Sequence, residues 1–277
     1  MLRQQVVVRK DVNQRIDSVG SLLVVPCFNE AHRWQPEYWN DLTGSNGVHW
    51  LFVNDGSQDA TSSILRDLSR RPNVDFIDFP VNSGKGEAIR IGMLRALGNR
   101  ANGIESVGFM DADGAFRRPD VERFAERFAE LAGGTDVDAV WSSRVALAGR
   151  DIRRSQRRHY IGRAVATLLS LGADPLPYDT QSGLKFFRPS ETLYACISRP
   201  FATRWLFEIE ILTRWRDISG RSMRIREEPL EFWQDVGGSS IRGAELVRVA
   251  REIATIKMLQ RKHLEEAEPK AKGRNRT

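Results

Sequence analysis

Four short, mostly apolar runs, each followed by a helical pattern, constrain this chain more than any other feature. They are Leu22–Cys27, His49–Asn54, Asn73–Phe79 and Ser106–Met110. A strand buried on both faces loses its inside–outside alternation and reads as a nearly continuous hydrophobic run. Between the runs lie Ala60–Arg70, preceded by Asp59 as a good N-cap, and Gly86–Arg100, preceded by an Asn82-Ser83-Gly84 turn. Pro119–Ala132 then opens with proline in its first turn and stops before Gly133-Gly134. Asp138–Ser142 reads as a fifth strand. Alternating strands and helices predict an α/β fold, with a mixed, mostly parallel sheet sandwiched by helices. In an open sheet of this kind, ligands bind at the carboxyl ends of the strands.

Those ends carry the informative polar residues. Asp111-Ala112-Asp113 follows the fourth strand. Two carboxylates one residue apart repel unless something neutralises them, and a hard divalent cation holding phosphate oxygens suits that task. Asp55 follows the second strand and can accept a hydrogen bond from a base or ribose, or merely cap its Asp-Gly turn. Asn82-Ser83-Gly84-Lys85-Gly86 joins the third strand to its helix. Its glycines admit an anion, the helix start presents N–H groups, and Lys85 adds charge. The spacing is not that of a P-loop, and the first turn lacks Gly-x-Gly-x-x-Gly, so a hydride-transfer cofactor is unsupported.

The second half is less regular. Arg150–Leu171 reads as a helix, basic at its start and apolar at its end; Thr180–Arg188 as a strand; Trp205–Ile218 as a helix; Arg221–Trp233 as strand-like; and Gly243–Glu266 as a long amphipathic helix. The expected organisation is an arm over 1–19, a catalytic domain over 20–242, a C-terminal helix over 243–268 and a basic disordered tail over 269–277. Within the domain, 20–115 forms the nucleotide half and 116–242 the acceptor half. No run approaches the ~20 apolar residues of a membrane span. There is no signal-peptide pattern, and Cys27 and Cys196 show no metal-ligand spacing. A cytoplasmic protein is expected. The net charge of +6 is concentrated between Arg150 and Arg163 and in the tail, which points to anionic partners. A basic helix with an apolar face could lie on a membrane surface, or its apolar face could pack on the domain.

Taken together, Val25-Pro26-Cys27-Phe28-Asn29-Glu30, Val53-Asn54-Asp55-Gly56-Ser57, Asn82-Ser83-Gly84-Lys85-Gly86 and Asp111-Ala112-Asp113 resemble the inverting family-2 glycosyltransferases of the GT-A fold. The resemblance implies a nucleoside-diphosphate sugar donor. It implies that Pro26, Phe28, Glu30 and Asp55 frame the nucleoside, with Lys85 and Asp111 nearby. Asp113, with Asp111, would hold Mg²⁺ or Mn²⁺ on the diphosphate. Several relatives carry a further polar ligand where this chain has Ala115.

Asp179-Thr180-Gln181-Ser182-Gly183-Leu184-Lys185 and Arg204-Trp205-x-Phe207-Glu208-x-Glu210 resemble the branch that glucosylates dolichyl phosphate. That implies transfer of a hexose, glucose from UDP-glucose, to a polyprenyl phosphate. A phosphate acceptor needs little general-base help but needs cations to hold two anions together. Arg144 is the first candidate and Arg158 the second; relatives place a hydroxyl where Gly162 stands. Gln181 and Lys185 could contact sugar or diphosphate, and Glu210 could orient the donor sugar or pair with an arginine. Ser239 and Arg242 would close over the nucleotide. The alternative is a hydroxyl acceptor in polysaccharide or glycoconjugate synthesis, which would require one of Glu208 and Glu210 as base. A non-catalytic nucleotide- or RNA-binding protein draws support from the basic tail, but no aromatic-rich basic strand for stacking bases is present, so no nucleic-acid partner is expected.

Overall fold

The computed structural model describes residues 20–98, 103–132, 134, 136–153, 165, 167–170, 176–234 and 248–261. The expected N-terminal arm and basic tail lie outside them, as do Arg158, Ser239 and Arg242.

The first half alternates as its sequence predicts. Strands β1 (Ser21–Cys27), β2 (Val48–Asn54), β3 (Val74–Asp78) and β4 (Ser106–Met110) are separated by helices α1 (Pro36–Leu42), α2 (Thr61–Leu68) and α3 (Lys85–Gly98). Then come α4 (Arg118–Ala132), β5 (Ala139–Ser143), β6 (Asp151–Arg153), β7 (Leu184–Phe187), α5 (Glu191–Ile197), α6 (Phe207–Ser219), β8 (Ile225–Pro229) and β9 (Phe232–Gln234). Residues 248–261 are helical.

Seven strands form one sheet in the order β3-β2-β1-β4-β7-β5-β8, and β6 pairs with β9 alone. Only β7 runs antiparallel to its neighbours, β4 and β5. Consequently β1 to β5 and β8, all but β7, end along the same edge of the sheet. Successive residues of β1 face opposite layers: Leu22 and Val24 pack with α3, α5 and α6, whereas Leu23 and Val25 pack with α1, α2 and α4. Each such fully buried aliphatic side chain contributes roughly 1.5–3 kcal/mol. That two-sided burial is why these strands read as unbroken apolar runs.

Three expectations change. The basic start of the 150–171 segment is not helical: Asp151–Arg153 is strand β6, held against β9. Residues 165 and 167–170 are helical, and the rest of that segment is outside the described residues. The 221–233 stretch is two strands, because Leu230 turns inward with no exposed surface between them. Finally, the 180–188 strand shortens to Leu184–Phe187, since 178–181 form a turn.

Candidate active site

The strand-end loops are laced to one another. Asn29, at φ 53°, donates its backbone N–H to Ser57 Oγ (2.9 Å) and accepts from Gln58 N–H (2.9 Å). Thr61 Oγ1 accepts from the N–H groups of Glu30 (2.8 Å) and Ala31 (3.2 Å). Asp59, expected as the N-cap of α2, stands one residue before the actual cap Ala60; it accepts from Thr61 N–H at 3.0 Å and reaches back to Ala31 N–H at 3.1 Å. These bonds fix the first two loops as one wall. Phe28 stands 44% exposed on it, beside half-buried Pro26. The Glu30 carboxylate on the same wall is gripped by the Arg33 fork, with Nη2 at 2.6 Å from Oε1.

Asp55 is 2% exposed, and both its oxygens are used. Oδ1 accepts from Ser83 N–H at 2.7 Å and Oδ2 from Gly84 N–H at 2.8 Å. Burial raises its pKa, against the pull of those two N–H groups and of Arg204. Asp55 thus shapes the 82–84 loop, where the sequence also allowed direct nucleoside contact.

That loop delivers Lys85, whose Nζ lies 2.7 Å from Asp111 Oδ1. Burial opposes the Lys85 charge, but Asp111 and Glu208 outweigh it and its pKa rises. Gly183 backs the same carboxylate. A Cβ there would stand 2.3 Å from Asp111 Cγ, so only glycine leaves room. Gly183→Ala should therefore push Asp111 off Lys85 and weaken nucleotide-sugar binding ~10–100-fold. Titration calorimetry checks this, and unchanged affinity would mean the Asp111 position is immaterial. Asp113 is the less neutralised acid. Burial and the Asp111 charge raise its pKa from 3.8 to about 6, although it accepts from Ala115 N–H at 3.1 Å and feels Lys85 and Arg33.

Three acceptor-half residues expected near the reaction are each engaged with the protein itself, and Glu210 takes the arginine pairing that was one of its two expected roles. Arg144 sits at the end of β5 on the correct edge, but its fork is bound to Asp179 through Nε (2.7 Å) and Nη2 (2.7 Å). Two of its five N–H donors are therefore committed to a buried carboxylate. Lys185 is wholly buried, contacting the Ser182 carbonyl and lying 3.7 Å from Glu208 Oε1, over the Phe109 and Trp141 rings. It supports the site from below and cannot touch sugar; burial lowers its pKa. Glu210 accepts from Ala202 N–H (3.0 Å), Thr203 N–H (3.0 Å), Thr203 Oγ1 (2.8 Å) and Arg214 Nη2 (2.6 Å). A carboxylate offers about four lone-pair sites, and all are taken.

Glu208, two residues earlier on α6, is the acid facing Lys85, Asp111 and Lys185. Its Oε2 is buried without a hydrogen-bond partner among the described residues, and burial raises its pKa. Gln181 Nε2 is likewise buried and unpartnered among the described residues. The sequence did not single out Arg33, and it placed Arg204 in the 204–210 motif without giving it a role. The first follows Glu30 at the three-residue spacing of a helical turn; the second precedes the aromatic Trp205 at the foot of α6.

With Asp55, Lys85, Asp111, Asp113 and Glu208 joined along one sheet edge, the match over residues 22–189 to the glycosyl transferase family 2 model decides the assignment. The chain belongs to glycosyl transferase family 2. It is a nucleoside-diphospho-sugar-dependent glycosyltransferase with a GT-A-like architecture. The family-2 chain is 30% identical over 254 residues to the dolichyl-phosphate beta-glucosyltransferase ALG5A of Trichomonas vaginalis, covering 88% of this chain and 75% of that one. It is also 30% identical over 243 residues to the dolichyl-phosphate beta-glucosyltransferase of Drosophila melanogaster, covering 78% and 71%. Among solved structures, it resembles glucosyl-3-phosphoglycerate synthase from Mycobacterium tuberculosis, crystallised with Mn²⁺, UDP and glucosyl-3-phosphoglycerate. The TM-score is 0.56 at 19% identity, covering 87% of this chain and 79% of that one. It also resembles the mannosyltransferase PcManGT from Pyrobaculum calidifontis with GDP-Man and Mn²⁺, at TM-score 0.52 and 18% identity, covering 91% and 68%. Among the described residues no three His, Cys, Asp or Glu side chains form a metal-holding group, and no helix is long and apolar enough to cross a membrane.

Proposed function

We propose that this glycosyltransferase moves a hexose, glucose from UDP-glucose, to a polyprenyl phosphate such as dolichyl phosphate, with inversion at the anomeric carbon. The observation that carries the acceptor is the 30% identity over 88% of the chain to a dolichyl-phosphate beta-glucosyltransferase. The donor reading rests on the joined strand-end loops. Asp113 and Asp111 suit a divalent cation: two carboxylates with substrate phosphate oxygens and water make a common Mg²⁺ or Mn²⁺ shell. Asp113 is the principal ligand in this reading, because Asp111 is shared with Lys85. The cation would neutralise charge on the departing diphosphate. Lys85 adds positive charge beside it, and Glu208 lines the face toward the sugar.

A second reading keeps a hydroxyl acceptor in glycan synthesis. The unpartnered Glu208 Oε2 favours it, since a buried carboxyl with a raised pKa is suited to take a proton. Contact with a membrane surface through the basic 150–171 segment remains part of the first reading, as the catalytic domain must meet a lipid-borne acceptor there.

The donor is tested by thermal shift with UDP-glucose, UDP-GlcNAc, GDP-mannose and other nucleotide sugars, each with and without Mn²⁺. A true donor at 100 times its Kd should stabilise the fold by about 2.7 kcal/mol. If no nucleotide sugar moves the melting point in either condition, the donor assignment is wrong. Transfer of labelled glucose to a short polyprenyl phosphate then tests the acceptor. Product formed only on free sugars or glycans would select the second reading.

A further inference from the structure

One cation beside the 82–84 loop has no role in the reading above. Arg204 is exposed and lies in the segment leading into α6, yet its guanidinium rests on the nucleotide-half loop. A Cβ on Gly84 would stand 2.7 Å from Arg204 Nε and 2.8 Å from Nη2. Nη2 donates to Asn82 Oδ1 at 3.3 Å. Among the described residues, no carboxylate lies within ion-pair distance of it, whereas the adjacent Lys85 is matched by Asp111. Among the described residues, Arg204 is therefore a planar fork of donors with no ion-pair partner, beside the loop that presents Lys85.

Its backbone is held from an unexpected direction. Glu252, in the helical segment 248–261, is 7% exposed and accepts three backbone N–H groups: Arg204 (3.1 Å), Trp205 (2.9 Å) and Leu206 (3.0 Å). The residue preceding α6, Leu206, supplies no side-chain cap of its own. Glu252 serves in its place, satisfying free donors at the helix start and setting a negative charge at its positive end. Leu206 and Ile209 pack against Ile256 and Leu169, which seats the C-terminal segment on the foot of α6. Lys257 Nζ adds a bond to the Leu169 carbonyl at 3.3 Å.

We propose that Arg204 is a diphosphate-binding residue of the donor site, and that Glu252 is the positioning residue that holds it there from the C-terminal helix. This rests on the donor reading above and adds to it a contact supplied by the acceptor half. A guanidinium fork matches phosphate oxygens in a way an ammonium does not. The contact makes the C-terminal helix part of the donor site, although it lies outside the stretch matched by the family model.

The test is calorimetric titration of the full chain with UDP, GDP, uridine and guanosine in Mn²⁺, using Arg204→Met, Arg204→Lys and Glu252→Gln. Arg204→Met should weaken the preferred diphosphate ~10–100-fold and its nucleoside less than about twofold. Arg204→Lys, which keeps the charge and loses the fork, should fall between wild type and Arg204→Met. Glu252→Gln should weaken the diphosphate several-fold alone and add little to Arg204→Met, because it acts through the same side chain. Unchanged diphosphate affinity in Arg204→Met, equal weakening of diphosphate and nucleoside, or fully additive losses would each overturn the inference while leaving the donor reading intact. A wild-type protein that binds neither diphosphate overturns both.

Discussion

Asp113→Asn is expected to lower sugar transfer about 10³-fold while making the ligand-free protein more stable at pH 7. The two effects have one cause. Burial and the Asp111 charge disfavour ionised Asp113, raising its pKa from 3.8 to about 6. Below 3.8 the carboxyl is protonated whether the chain is folded or not, and it costs nothing. As pH rises through the interval to about 6, the unfolded chain has released its proton and the folded one resists doing so. Stability is lost across that window and the full cost is present above it, on the order of 1–3 kcal/mol. Asparagine keeps an acceptor for the Ala115 N–H and carries no charge. Its melting point should exceed wild type by several degrees at pH 7, with the gap closing toward pH 4. Mn²⁺ with a nucleoside diphosphate should reverse the order, since wild type gains the ligand and the variant does not. A variant that transfers sugar at the wild-type rate would remove Asp113 from the metal assignment; one destabilised equally at both pH values would remove the electrostatic explanation.

The sheet was legible because its strands are buried on both faces. Leu22 to Cys27 and Ser106 to Met110 have few polar residues to disturb their pattern, and their observed bounds differ by a residue at most. Short elements were not legible. Helix α1 is seven residues long and owes its place to Trp39 and Leu42 packing under β2, and β6 exists only because β9 lies beside it. Site residues were legible as positions and less so as partners. Asp55, Lys85, Asp111 and Asp113 follow from strand-end location alone. That Arg144 would be matched by Asp179, thirty-five residues later, depends on β7 reversing direction between β4 and β5. The same reversal places Lys185 under the sheet edge and leaves Gly183 against Asp111. Glu252 reaching the foot of α6 carries no local sequence signal at all.

Glu208 and Glu210 look interchangeable in the sequence, and their glutamine variants are expected to behave in opposite ways. Glu210→Gln should cost about 3 kcal/mol of stability, because an amide nitrogen replaces one of two oxygens that together accept four hydrogen bonds. Its NH₂ would face the N–H of Ala202 or Thr203, and Arg214 would lose its charged partner. Chemical denaturation measures that loss; a midpoint within error of wild type would mean the 202–203 loop stands without Glu210. Glu208→Gln should lower the midpoint less. Its Oε2 has no hydrogen bond to lose among the described residues; what it gives up is its charge 3.7 Å from Lys185, whose own pKa burial lowers. The larger effect belongs to turnover, and its size separates the two acceptors. A hydroxyl must surrender its proton as it attacks, so removing the carboxylate should cost ~10²–10⁴-fold in kcat. A phosphate oxygen arrives already ionised, and the same substitution should cost it no more than ~10-fold. Because Glu208 lies beside Lys85 and Asp111, loss of donor affinity could imitate either result. The comparison is therefore made on kcat at saturating nucleotide sugar, where weakened donor binding no longer contributes.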